Sequence, residues 1–99
     1  MTAAWPPVAI VGVGNMGGGM ARRLLAQGVA VEVCDIDTGK TQALQVLGAQ
    51  VAACPAHLVG EAHFFIVCVV TAAQVNDVLW GEQGLAAHLV AGDTVMLCP

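Results

Sequence analysis

The sequence predicts an α/β fold: a doubly wound parallel sheet with strand order 3-2-1-4-5. Three observations predict it. Short apolar runs rich in β-branched residues alternate with stretches of helical periodicity, in the order β-α-β-α-β-α-β-α-β. Glycines at 12, 14 and 17 occupy the turn between the first run and the first helix. An acid, Asp35, closes the second run, 18 residues after Gly17. Strands that alternate with helices are joined by right-handed crossovers, and such crossovers make a parallel sheet. The fold is covered on both faces, which agrees with 58% hydrophobic and 10% charged residues.

The elements follow in order. Val8 to Val13 (VAIVGV) reads as a strand buried on both faces, after an N-terminal tail over residues 1–7. GNMGGGM is a turn that opens a helix over Met16 to Gln27. Met16, Met20 and Leu24 form its apolar stripe, Arg22 and Arg23 lie on the wet side, and Gly28 stops it. Val29 to Cys34 is the second strand. Asp37 or Thr38 caps a helix to about Leu47, with Gly48 after it. Ala49 to Ala53 is a short third strand, and Pro55 starts a short helix to about Ala62. His63 to Val70 (HFFIVCVV) is the most apolar run and is expected at the centre of the sheet. Ala72 to Leu79 is a helix, Gly81 to Gly84 a turn, Leu85 to Val90 a short helical piece, and 91–93 a turn. Thr94 to Cys98 is the fifth strand; a complete fold of this type carries a sixth, which the sequence does not reach.

Composition excludes several functions. Ninety-nine residues make one domain, and the apolar excess excludes disorder. The net charge is −4, with Arg22, Arg23 and Lys40 as the three basic residues, so neither nucleic acid nor a membrane surface is an expected partner. The uncharged stretch 41–60 contains Gln42, Gln45, Gln50, Pro55 and His57, which are costly in hydrocarbon. The N-terminus lacks the basic region of a signal peptide, so a cytoplasmic location is expected. Cys34, Cys54, Cys68 and Cys98 show no CxxC spacing and are expected as free thiols rather than zinc ligands or disulfides. His57, His63 and His88 are expected in ordinary structural or solvent roles, and Trp5 and Trp80 as cover for the core. No metal cluster, nucleophilic triad or general base is visible.

Gly12-x-Gly14-x-x-Gly17 is weak evidence alone, but here it sits between a strand and a helix, as a dinucleotide site requires. Gly12 permits the tight turn, Gly14 lets a pyrophosphate approach past Val13, and Gly17 lets the helix pack on the strand. The helix start then offers the N–H groups of Asn15, Met16 and Gly17 to the phosphates. Asp35 stands where a carboxylate accepts hydrogen bonds from the adenosine ribose and repels a 2′-phosphate. Of the basic residues only Lys40 lies near it in sequence, so NAD is expected over NADP.

Residues 8–99 resemble the NAD-binding domain of the β-hydroxyacid dehydrogenases, the family of 3-hydroxyisobutyrate and 6-phosphogluconate dehydrogenases. The resembling segments are VGVGNMGGGMARRLLAQG at 11–28, VEVCDID at 31–37, LGAQVAACP at 47–55, QVNDVLWGEQGL at 74–85 and AGDTVML at 91–97. Residues 72–75 and 80–82 look most like the L-threonate dehydrogenase branch. The resemblance implies that Ile36 lies against the adenine and that Val69, Val70 and Thr71 run along the nicotinamide half. It implies a cofactor contact for Gln74, at a position often held by Asn. Many members carry Leu-Pro where this chain has Val69 and Val70, so its loop departs from their shape. The resemblance also implies a longer enzyme acting on a small hydroxyacid. Its catalytic lysine would lie in a helical second domain beyond residue 99, leaving this stretch inactive alone. The alternative is a non-catalytic dinucleotide-binding module of the same fold. The open fifth strand adds an expectation of self-association as a homodimer.

Overall fold

The computed structural model describes residues 7–58 and 62–98. The elements are β1 (Val8–Val11), α1 (Asn15–Ala26), β2 (Val31–Cys34), α2 (Thr38–Val46) and β3 (Gln50–Val51), then a 3₁₀ turn (Pro55–Leu58), β4 (Phe64–Val67), α3 (Ala72–Trp80) and β5 (Thr94–Leu97). The five strands form one parallel sheet in the order β3-β2-β1-β4-β5. This is the expected architecture and strand order.

Both faces of the sheet are covered, so its strands carry apolar residues at successive positions. Ala9, Val11, Phe65 and Val67 point to one face and pack with Leu58, Val78 and Leu85. Ile10, Val31, Val33 and Ile66 point to the other and pack with Ala21 of α1 and Leu44 of α2. Both α1 and α2 end in the same hydrogen-bonded stop. Gly28 N–H donates to Leu25 O and Val29 N–H to Leu24 O; Gly48 N–H donates to Gln45 O and Ala49 N–H to Leu44 O. That double bond pattern reverses the chain toward the next strand within two residues.

Several boundaries differ from expectation. Each strand is shorter than its apolar run: β2 drops Val29 and Ala30 at its start, while the other runs lose residues at the carboxyl edge. There Gly12, Val13, Cys68 and Cys98 become loop. The most apolar run is not central: β1 occupies the middle, and β4 lies between β1 and β5. Both strands have four residues and a neighbour on each side; β1 is buried from Ala9 to Val11, whereas Phe64 at the start of β4 is 37% exposed. Residues 85–90 are not helical. Leu85 N–H donates to Val78 O and Ala86 N–H to Leu79 O, so the chain folds back on the end of α3 and buries Leu85. Residues 59–61 of the expected helix after Pro55 lie outside the described residues, as do 1–6, including Trp5, and 99. Trp80 is 71% exposed and covers no core.

Candidate functional site

The carboxyl ends of the strands open into a cavity of about 810 Å³. In an open α/β sheet this is where ligands bind, at the point where the strand order reverses. Here that point lies between β1 and β4.

The glycine loop is fixed by contacts that forbid a side chain. Gly12 has φ +90, and a Cβ there would lie 2.4 Å from Cys68 O. A Cβ on Gly17 would lie 1.9 Å from Gly12 O, so α1 packs directly on the turn. Gly14 differs: a Cβ there meets nothing within 4 Å, and its outer side faces the cavity. The first intrahelical bond runs from Gly18 N–H to Gly14 O, at 2.8 Å. Gly14 is the N-cap, no side chain caps the helix, and no acid stands in its first turn. The N–H groups of Asn15, Met16 and Gly17 therefore keep their donors, and within the first turn of α1 no side chain opposes the positive end of the dipole.

Asp35 follows β2 and is half-buried on the cavity wall. Its Oδ2 accepts from Val13 N–H at 2.8 Å and its Oδ1 from Asp37 N–H at 2.9 Å. Asp37 caps α2 by accepting from Gly39 N–H at 3.0 Å. Ile36, between the two acids, is 94% exposed on the cavity rim.

Across the cavity, the loop after β4 brings Val69, Val70 and Gln74 to the lining. Thr71 caps α3 by accepting from Gln74 N–H at 3.1 Å, while Gln74 Oε1 accepts from Val70 N–H and Thr71 N–H. Such a reciprocal cap holds a helix start by about 1 kcal/mol. It also fixes this loop, which lacks the proline many members carry. Thr71 itself is spent on the cap, and Val13 turns its side chain into the core. Gly12, Gly14, Asp35, Ile36, Val69, Val70 and Gln74 thus share one cavity, with Asn15, Met16 and Gly17 at the adjoining helix start.

The sequence reading missed Lys40, Cys54, Asp77 and Glu82 on the same lining. They arrive from separate loops and helices, and only Lys40, as the nearest cation to Asp35, carried a signal. All four cysteines are free. Burial, with Cys54 and Asp35 nearby, pushes the Cys34 thiol up to about 11, and burial with a thiol contact from Cys98 pushes Cys68 up as well. Both stay neutral near pH 7 and add no negative charge to the cavity. Among the described residues no group of three or more His, Cys, Asp or Glu could hold a metal ion. None of the described helices is long and apolar enough to cross a membrane.

Fold and site together define a dinucleotide-binding module of the Rossmann class. The model of the NAD binding domain of 6-phosphogluconate dehydrogenase matches residues 7–99, and the chain belongs to that family, as an NAD(P)-binding domain of the β-hydroxyacid dehydrogenases. It is 35% identical to L-threonate dehydrogenase of Haemophilus influenzae over 91 residues, which are 91% of this chain and 30% of that one. A solved 3-hydroxyisobutyrate dehydrogenase from Salmonella typhimurium superposes with a TM-score of 0.83 at 35% identity, over 92% of this chain and 32% of that one. Psf3, solved in complex with NADP+ and 2-OPP, superposes with a TM-score of 0.85 at 33% identity, over 91% of this chain and 32% of its own. The chain thus spans about a third of the length of these relatives.

Proposed function

We propose that this chain is the cofactor-binding part of an NAD-dependent oxidoreductase acting on a small β-hydroxyacid, and that it prefers NAD to NADP. The carrying observation is one cavity that joins the uncapped start of α1 to a fixed carboxylate, Asp35. The residues fit the cofactor. The open side of Gly14 leaves room for a pyrophosphate, and the amides of Asn15, Met16 and Gly17 donate to it. Asp35 accepts from the adenosine ribose, with Ile36 against the adenine. Val69, Val70 and Gln74 line the way to the nicotinamide half, and Thr71 holds that loop as the cap of α3; the Oε1 of Gln74 is held by the cap, which leaves Nε2 as its donor. The bound nicotinamide supplies or accepts the hydride. Residues 8–99 form the dinucleotide module, and a second, helical domain supplies the catalytic groups. Relatives about three times as long support that arrangement. Four free thiols support a cytoplasmic setting.

Psf3 holds NADP+ and a similar reductive aminase from Aspergillus terreus holds NADPH, so the NAD preference rests on Asp35 and on the scarcity of cations around it. A 2′-phosphate would bring two negative charges to a carboxylate that two backbone amides hold in place. Calorimetric titration of the chain with each cofactor tests this. Tighter binding of NAD is expected, and equal or tighter binding of NADP would overturn the preference.

A further inference from the structure

Asp35 is usually read as a ribose acceptor, but here its carboxylate also spans two loops. One oxygen takes Val13 N–H of the β1–α1 turn and the other takes Asp37 N–H of the β2–α2 turn. Asp37 in turn caps α2 through Gly39 N–H. A continuous chain of hydrogen bonds therefore ties the glycine loop to the start of α2. We propose that Asp35 is a positioning residue for the phosphate loop, holding it in its binding shape before any ligand arrives. The proposal rests on the cavity being the dinucleotide site, and it adds a task for Asp35 that involves no ribose.

The loop needs such a tie. Gly12 is anchored: it sits at φ +90 against the Cys68 carbonyl, and its N–H is held by Cys34 O at 2.9 Å. The next main-chain anchor is the bond from Gly18 N–H to Gly14 O. Val13 lies between them with its side chain buried, so its orientation is set by the core on one side and Asp35 on the other. A buried N–H without a partner is costly, so removing the carboxylate favours a turn of a different shape. The two tasks of Asp35 are compatible. An ionised carboxylate has about four acceptor sites, and the two backbone bonds leave the others for ribose hydroxyls.

The test compares wild type with Asp35→Asn, using ADP and 2′,3′-dideoxy-ADP as probes. Asparagine has one acceptor oxygen, so one of the two amides would face an NH₂ group. A ribose-only role predicts that the variant binds the dideoxy probe as well as wild type does, and that result would overturn the proposal. Positioning predicts about a ten-fold loss for that probe too, in line with one charge-assisted hydrogen bond. Should the variant not fold, the wild type still decides. In native-state hydrogen exchange, the Val13 amide proton should be protected, because the Asp35 carboxylate holds it. A Val13 amide that exchanges as fast as an open loop would refute the tie. A wild-type chain that binds neither NAD nor NADP would instead sink the functional reading, and the exchange of Val13 would still report on Asp35.

Discussion

Alanine at Gly17 and at Gly19 should differ in effect, although both glycines lie in the first half of α1. At Gly17 an added Cβ would lie 1.9 Å from Gly12 O, 3.0 Å from Gly12 C and 3.3 Å from the Cys68 Cβ. The first two neighbours are backbone and cannot rotate away, so the helix start must retreat by about 1 Å. At Gly19 an added Cβ meets nothing within 4 Å. Both substitutions gain the same helix propensity, about 1 kcal/mol. Their difference therefore isolates the steric cost, about 1–3 kcal/mol for overpacking. Gly19→Ala should stabilise the chain, and Gly17→Ala should be less stable than Gly19→Ala by that amount. Urea denaturation with equal slopes for the two variants measures it. Binding should divide the same way. The retreat carries the amides of Asn15 and Met16 off the phosphates, so Gly17→Ala should lose about ten-fold or more in NAD affinity, the worth of one charge-assisted hydrogen bond. Gly19→Ala should stay near wild type. Equal stability and equal affinity in the two variants would refute the packing of α1 on the glycine turn as the reason for Gly17.

Two further outcomes are expected. The Asp93 carboxyl lies below the usual carboxylate range because Val90 N–H donates to its Oδ2 and His63 Nδ1–H to its Oδ1. A depressed folded value stabilises the fold above the ordinary carboxylate range and loses that contribution as pH falls through the folded value. Asp93→Asn should therefore flatten the fall in melting temperature below about pH 4, and an unchanged acid profile would show that the pair does not matter. Among the described residues β5 pairs with β4 alone, and Met96 and Leu97 are 39% and 51% exposed. The chain should self-associate as a two-fold dimer through antiparallel β5 edges, and sedimentation at tens of micromolar should show it. Met96→Pro should abolish the dimer; a monomeric wild type, or a dimer indifferent to the proline, would rule out this edge.

The sheet order was legible because alternation and crossover handedness give a parallel sheet, and the glycine turn after the first strand marks the doubly wound dinucleotide class that has this order. The glycine turn was legible because backbone contacts too close for a Cβ leave glycine as the allowed residue, as at Gly12 and Gly17. What stayed hidden depends on contacts between segments distant in sequence. Residues 85–90 have helical apolar spacing, yet the hydrogen bonds of Leu85 and Ala86 to Val78 and Leu79 turn them into a fold-back. The most apolar run went to β4 rather than the centre, because hydrophobic content does not rank strands by position. Gln74 was placed at the site by resemblance, but its cap to Val70 and Thr71 needed atomic geometry. The tie from Asp35 to Val13 spans 22 residues, and no local pattern announces it.

An acidic chain that takes an anionic cofactor needs a local reason to do so. The net charge is −4, and Asp35, Asp37, Asp77 and Glu82 line the cavity, with Lys40 as the one cation on that lining. Long-range attraction therefore cannot bring a pyrophosphate to its place. Short-range donors can, because the helix dipole and free amides act within the first turn, where no acid opposes them. The carboxylates fall at the other end of the reasoning. Asp35 and Asp37 stand together after β2, and a group bearing neutral hydroxyls gains acceptors there while a phosphorylated one gains repulsion. On the proposed reading the site separates its tasks by distance: uncharged amides would hold the anion, and fixed anions would judge the sugar.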